Sequence, residues 1–390
     1  MDPITALLDG LLDDVRPLTS GERAGYIPEL ASADPDVLAF AVVGPRGRVR
    51  TVGDAGHEFT IQSISKPFVL ALALSERGRA AVLERVGVEP SGEPFNAISL
   101  EAGTGRPANP MVNAGALATT GLVRGDDVDE RVSRVVDMLS AFAGRSLWVD
   151  EDVYRSESLT GDRNRALAHL LKSHGVLEGS VDTVVETYFR QCSLRVTVRD
   201  LAVMAGTLAF GGVNPVTGRR VVDERVARDV LSIMASCGMY DFSGEWLLRV
   251  GLPAKSGVSG GLMAVAPSQF GVAAFSPRLD AHGNSVRGIA AVETIAERFG
   301  MHLLEPHESL ATPAVRIEET VDGRVLHLGG ELGFAGTERV VGVLRDLADA
   351  LPPGAVVTVD ASDLARSHPA ALVALQAEFE SMPPGFRLSR

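Results

Sequence analysis

Cysteine, lysine and tyrosine are scarce in this sequence, and long apolar runs are absent. The two cysteines, Cys192 and Cys237, form no CxxC pair. That excludes a disulfide framework and a zinc ribbon, and it points to a reducing compartment. No apolar stretch reaches the ~18 residues that a membrane-spanning helix needs, so no membrane partner is expected. Basic charge is short as well: 37 Lys and Arg stand against 50 Asp and Glu, a net charge of −13. This balance argues against nucleic acid as a partner, because phosphate backbones select basic patches. The opening MDPITALLDGLLDDVR carries acids where an export signal has a basic stretch, so the expected location is the cytoplasm. The eight histidines show no HxxxH spacing, and no GxGxxG or Walker loop appears. No metal or other cofactor is expected.

What is present is an ordinary globular composition, with 45% hydrophobic and 22% charged residues over 390 positions, a length that implies about two to three domains. Residues 3–17 alternate at helical spacing. Residues 36–43 and 47–53 read as strands joined by a turn at Gly44–Gly47, and EFTIQ (58–62) as a third. A long apolar helix is expected from about Ser63, with Pro67 in its first turn. From about 79 to 237 the pattern is helical, residues 252–276 are strand-like again, and a helix covers about 285–300. These alternations predict an α/β (α+β) fold: one sheet built from strands at both ends of the first 300 residues, with an inserted helical subdomain and a cleft between them. Residues 304–313, polar with two prolines, read as a linker. Residues 314–390 then follow a separate strand, strand, helix, strand, helix rhythm.

Of the three lysines, Lys66 and Lys255 fall inside motifs, whereas Lys172 sits in a polar helix end. Lysine, unlike arginine, can lose its proton when desolvated. In Ser63-Ile64-Ser65-Lys66 a helix would bring the lysine to the same face as the serine, one turn on. A serine hydroxyl is a weak nucleophile and needs such a base. Taken alone, Ser63 also reads as a helix N-cap. Far downstream, Lys255-Ser256-Gly257 follows Pro253 on an expected strand. An SxxK early and a K[ST]G strand late is the pairing found in penicillin-recognising serine enzymes. Of the four tyrosines, Tyr26, Tyr154, Tyr188 and Tyr240, the last sits between helix and strand in CGMYDFSG, where a phenol could pass a proton.

Longer stretches carry a more specific resemblance: GYIPELA at 25–31, FTIQSISKPF at 59–68, NPMVNAGA at 109–116, SES…GDRN at 156–164, CGMYDFSG at 237–244, LPAKSGVSGG at 252–261 and GNSVRGI at 283–289. In these, residues 20–300 resemble the serine-dependent glutaminases of the β-lactamase-like (penicillin-binding-protein-like) fold. The resemblance implies a catalytic domain over 1–303 that hydrolyses L-glutamine to L-glutamate and ammonia through a γ-glutamyl-enzyme. It implies Ser63 as nucleophile, Lys66 as base and Tyr240 as proton carrier, with the backbone N–H groups of Ser63 and Val258 as oxyanion hole. Substrate contacts carried over position by position are Tyr26, Gln62, Ser63, Asn113, Glu157, Asn164, Tyr188, Tyr240 and Val258. Glu157 would meet the α-ammonium and the amides and phenols the α-carboxylate, while Lys255 would supply positive potential. A homo-oligomer, dimer or tetramer, is expected.

Residues 314–390 resemble a STAS domain through their element order and the stretch VVTVDASDLARSHPAALVAL. Regulatory members carry a phosphorylatable serine at the helix start; Pro369 and Ala370 stand there, with Ser367 offset. The usual last helix is missing, so the domain reads as truncated at its C-terminal end, and its ligand or partner is not legible. Two other readings stay open at this point. One is a different β-lactamase-like amidohydrolase, such as a β-lactamase or cell-wall peptidase; the other is a non-catalytic STAS-type regulatory scaffold.

Overall fold

A computed structural model describes residues 3–92, 100–305, 314–320, 323–352, 355–367, 369–382 and 384–389. They divide into two compact units, Leu12–Glu293, and Met1–Leu11 with Thr294–Arg390. The fold is mixed α/β.

Helix α1 (Pro3–Val15) buries Ile4, Leu8, Leu11, Leu12 and Val15, the one-sided stripe that its spacing predicts. The short α2 (Pro28–Ala31) precedes the hairpin of β1 (Ala39–Val43) and β2 (Val49–Gly53). Next come β3 (Phe59–Thr60) and α3 (Lys66–Arg85). The helical block continues through α4 (Asn113–Leu122), α5 (Val128–Ala143), α6 (Glu151–Thr160), α7 (Asp162–Ser173) and α8 (Val181–Cys192). Then follow β4 (Arg195–Val196), α9 (Val198–Ala209), α10 (Glu224–Cys237) and α11 (Ser243–Arg249). The chain returns to strand in β5 (Ala254–Ser256), β6 (Gly261–Ala266) and β7 (Phe270–Phe275), before α12 (Val286–Phe299).

The main sheet has the order β2-β1-β7-β6-β5, with every neighbouring pair antiparallel. Two strands come from before the helical block and three from after it, as the alternation of strand and helix signals implies. All residues of β1, β6 and β7 are buried, so these strands read as continuous apolar runs.

Helix α9 packs across β1, β6 and β7, and all its residues except Arg199 are buried. Its seat requires Gly271 on β7, where a Cβ would lie 2.1 Å from the Gly206 nitrogen. A capping box opens the helix: Thr197 Oγ1 accepts from Asp200 N–H, and the Asp200 side chain accepts from Thr197 N–H. The same carboxylate takes Nε and Nη2 of Arg145 at 2.7 and 2.6 Å. Asp200→Ala therefore removes a cap and a bidentate pair at once. It is expected to destabilise the chain by about 2–3 kcal/mol in urea titration.

The structure corrects one local expectation. The strand read over 58–62 is only two residues long. The chain enters a 3-10 turn over Gln62–Ser65, and α3 begins at Lys66, not Ser63. Pro67 lies in the first turn of α3, where its missing N–H costs nothing. The helix is interrupted at Gly78 (φ 79°), where its apolar stretch ends, and continues to Arg85.

The C-terminal strands are β8 (Ala314–Thr320), β9 (Gly323–Leu332), β10 (Val357–Ser367) and β11 (Phe386–Ser389), with helices α13 (Phe334–Ala350) and α14 (Pro369–Ser381). The sheet order is β11-β10-β9-β8; β8 and β9 are antiparallel and the other pairs parallel. Leu326, Leu328 and Leu332 of β9 meet Val340 and Leu344 of α13 and Leu375 of α14 in one core. The linker read at 304–313 lies outside the described residues beyond Glu305.

Candidate active site

The site grows from the turn between β3 and α3. Ile61 is anchored by its N–H to Leu194 O at 2.8 Å. Gln62 then adopts φ 50°, the left-handed region that costs a side chain-bearing residue about 1–3 kcal/mol. Ser63 follows, buried to 8% exposure. Lys66, fully buried at the start of α3, donates to Asn113 Oδ1 at 2.7 Å and Met111 O at 3.2 Å. Asn109 shapes the segment that offers these acceptors, its Oδ1 taking the N–H groups of Met111 and Val112. Gly115 is obligatory there, because a Cβ would sit 1.9 Å from Asn109 O. Burial lowers the Lys66 pKa to about 8.

Tyr240 opens the 3-10 turn after α10, at φ 59°. Its hydroxyl donates to Ser256 O at 3.0 Å and is hydrogen-bonded to the Ser63 side chain. Burial raises this phenol, so it stays protonated. Lys255 on β5 donates to Gly238 O at 2.9 Å and Ser256 O at 2.7 Å, and its nitrogen lies 4.1 Å from the Tyr240 ring centroid. Burial, and then the Lys66 charge, hold Lys255 well below the usual lysine range. Among the described residues three non-glycine positions have positive φ, and two of them, Gln62 and Tyr240, border Ser63. Such strain collects at functional sites.

A second wall surrounds Glu157, which α6 presents at 7% exposure. The Tyr26 hydroxyl donates to Glu157 Oε1 at 2.9 Å and lies 3.4 Å from Gln62 Oε1. The Gln62 side chain is also hydrogen-bonded to Glu157. Burial raises the Glu157 carboxyl against the opposing pull of these two donors. Tyr26 exposes 47% of its surface overall, yet its hydroxyl points inward, and desolvation followed by Glu157 holds it well above the usual phenol range. Tyr188 on α8 donates to Asn113 Oδ1 at 3.4 Å. Asn164 on α7 accepts from Asn113 Nδ2 at 3.1 Å. Val258, half-buried between β5 and β6, packs against Ile27, Leu30 and Val153, next in sequence to Tyr26 and one turn from Glu157.

Contacts thus link Tyr26, Gln62 and Glu157; Ser63, Tyr240 and Lys255; and Lys66, Asn113, Asn164 and Tyr188. The Gln62–Lys66 segment joins the three groups. Several partners escaped the sequence reading. Met111 and Ser256 act through backbone carbonyls, which leave no side-chain signal. Cys192, one helical turn after Tyr188, lies beside the Tyr188 and Ser65 hydroxyls, and burial followed by Glu157 pushes its thiol up to about 12. Its spacing from Tyr188 was the available clue. Both cysteines are free and buried. Among the described residues, no cluster of three His, Cys, Asp or Glu could hold a metal ion, and no helix is long and apolar enough to cross a membrane.

A family model described as Glutaminase matches residues 21–304. A glutaminase of Corynebacterium efficiens is 48% identical over 347 residues, covering 88% of this chain and 82% of its own. One from Trichormus variabilis is 50% identical over 303 residues, 78% of this chain and 91% of its own. The solved structure of Mglu superposes with a TM-score of 0.77 at 43% identity, covering 100% of this chain and 98% of Mglu. A probable glutaminase of Bacillus subtilis gives 0.72 at 34% identity, over 77% of this chain and 97% of its own. The chain belongs to the glutaminase family, the amidohydrolases that act on glutamine.

Proposed function

We propose that this glutaminase works by acyl transfer to Ser63, with Lys66 as the base. The observation that carries this reading is the setting of the Lys66 amine. A neutral amine has two hydrogens and one lone pair. Met111 O and Asn113 Oδ1 are two acceptors for the hydrogens, which leaves the lone pair for the Ser63 proton. With a pKa of about 8, the amine is neutral in a useful fraction near neutrality, whereas an exposed lysine is not. Ser63 Oγ then bonds the side-chain amide carbon of glutamine, and the carbonyl oxygen becomes an oxyanion facing the Ser63 and Val258 N–H groups. Tyr240, bonded to Ser63, passes a proton to the departing nitrogen, so that ammonia leaves and a γ-glutamyl ester remains. Water attacks this ester by the reverse proton path and glutamate is released.

Glu157 is the partner for the α-ammonium, since it is the acid of the site and is already held by two neutral donors. Tyr26, Gln62, Asn113, Asn164 and Tyr188 bind the α-carboxylate and fix its distance from Ser63. An analogue lacking either charged group leaves these buried groups unpaired, which is the strongest form of selectivity such a pocket has. Lys255 holds the Ser256 carbonyl and the Tyr240 ring.

The same reading takes residues 1–303 as a β-lactamase-like catalytic domain, supported by a sheet drawn from both sides of the helical block. It takes 314–390 as a STAS-like domain after a linker at 304–313, supported by the order β8, β9, α13, β10, α14, β11, with a partner still to be identified. It also takes the chain to assemble as a dimer or tetramer, as its family membership suggests.

The test is ammonia release by the full chain across pH, with asparagine and a chromogenic β-lactam beside glutamine. Below pH 8 the neutral amine fraction rises about tenfold per pH unit. Accordingly kcat/KM for glutamine is expected to climb on that slope and level near pH 8. A profile that is flat between pH 5 and 9 would remove Lys66 as the titrating base, and turnover of the β-lactam in place of glutamine would remove the substrate assignment.

A further inference from the structure

Within the Gln62–Ser65 turn a single side-chain bond, from Ser65 to the Gln62 carbonyl, spans the strained shape. The turn's leading residue, Ile61, makes no side-chain cap bond. The restraint comes from behind. Ser65 Oγ donates to Gln62 O across the turn at 2.8 Å. Gln191 Nε2 donates to Ser65 Oγ at 3.3 Å, and Thr120 Oγ1 donates to Gln191 Oε1 at 2.9 Å. Ser65 and Thr120 are fully buried and Gln191 is 1% exposed, in a core otherwise lined by residues such as Leu117, Val184 and Phe189. Polar side chains in such a core are costly unless each is satisfied, and here the bonds run in one direction, toward the Gln62 carbonyl. The relay begins on α4, which also carries Asn113, and passes through α8, which also carries Tyr188.

We propose that Thr120, Gln191 and Ser65 are positioning residues. They fix the direction of the Gln62 carbonyl and so keep Gln62 in its left-handed conformation. That conformation aims the Gln62 side chain at Glu157 and Ser63 Oγ at Tyr240. The proposal rests on the Ser63 mechanism above. If the relay is broken, Gln62 relaxes to the right-handed region and both side chains swing away together. Misplacement of a reacting group by about 1 Å costs about 10²-fold, so acylation and substrate binding suffer from one lesion.

The test uses Ser65→Ala, Gln191→Leu, Thr120→Val, the double variant Ser65→Ala/Gln191→Leu, and Gln191→Glu, in the full chain. Each single variant of the first three is expected to lose about 10²-fold in kcat/KM, with kcat falling and KM rising, and a Tm within a few degrees of the parent. The double variant is expected to lose no more than the worse single one, because both act through the same carbonyl. Gln191→Glu restores activity to within about tenfold, since a buried protonated carboxyl both accepts from Thr120 and donates to Ser65. Relative to the parent, this rescue fades as pH rises and that proton is lost. Should Gln191→Leu fail to fold, Thr120→Val and Ser65→Ala carry the same comparison. Single variants within threefold of the parent, or a double variant whose loss is the product of the two singles, would overturn the relay while leaving the Ser63 mechanism standing. A parent chain that does not hydrolyse glutamine would overturn both.

Discussion

Ser63→Ala is expected to abolish glutamine turnover, with kcat/KM falling by about 10⁶-fold, the size of loss seen in kcat when an acyl-transfer serine is removed. The residue is small, 8% exposed, and lies on a turn anchored by Ile61 and Ser65, so alanine leaves the fold and the substrate wall intact. Glutamate should therefore still bind the variant with nearly the parent affinity, because Tyr26, Gln62, Glu157 and Asn164 remain. Steady-state ammonia release together with glutamate titration calorimetry checks both halves of the prediction.

Lys66→Arg is the second large effect, expected at about 10²- to 10⁴-fold in kcat. The substitution keeps the positive charge and can keep hydrogen bonds to Met111 O and Asn113 Oδ1. It removes the one property on which the mechanism depends, the ability to lose a proton near neutrality. The sign of the pH effect follows. The parent is expected to gain activity as pH rises toward about 8, where half of the Lys66 amine is neutral, and the arginine variant to show no such rise, because its guanidinium stays charged throughout. Rate profiles of the two proteins from pH 5 to 9 make the comparison. An arginine variant with a parent-like profile would assign the titration to another group.

Much of the architecture was legible because it is written in apolar runs. AFAVV, GLMAVA and FGVAAF form the centre of the sheet, and their separation by a helical block already implied a sheet drawn from two parts of the chain. The near absence of lysine singles out Lys66 and Lys255, and both are fully buried on carbonyl or amide oxygens, Lys66 on Met111 O and Asn113 Oδ1 and Lys255 on the Ser256 carbonyl that Tyr240 also bonds. Less legible was anything set by backbone conformation. Gln62 and Tyr240 occupy the left-handed region without being glycine or asparagine, and no propensity rule marks them. The displaced start of α3 has the same origin, since a 3-10 turn and a helix share the apolar pattern of SISKPF. Partners distant in sequence were invisible too: Asp200 and Arg145 are 55 positions apart, and Thr120 and Gln191 are 71 apart. A single sequence carries the chemistry of a side chain but not the identity of the carbonyl or amide that will face it.

The central claim is that glutamine is cleaved through an ester on Ser63. Its most direct test is mass spectrometry of the chain, acid-quenched shortly after mixing with saturating glutamine and digested, with Ser63→Ala treated in parallel. The account predicts a γ-glutamyl group on the peptide that contains Ser63, and neither adduct nor ammonia from the alanine variant. Full-rate ammonia release by Ser63→Ala, with the γ-glutamyl group absent from that peptide in the parent, would contradict it.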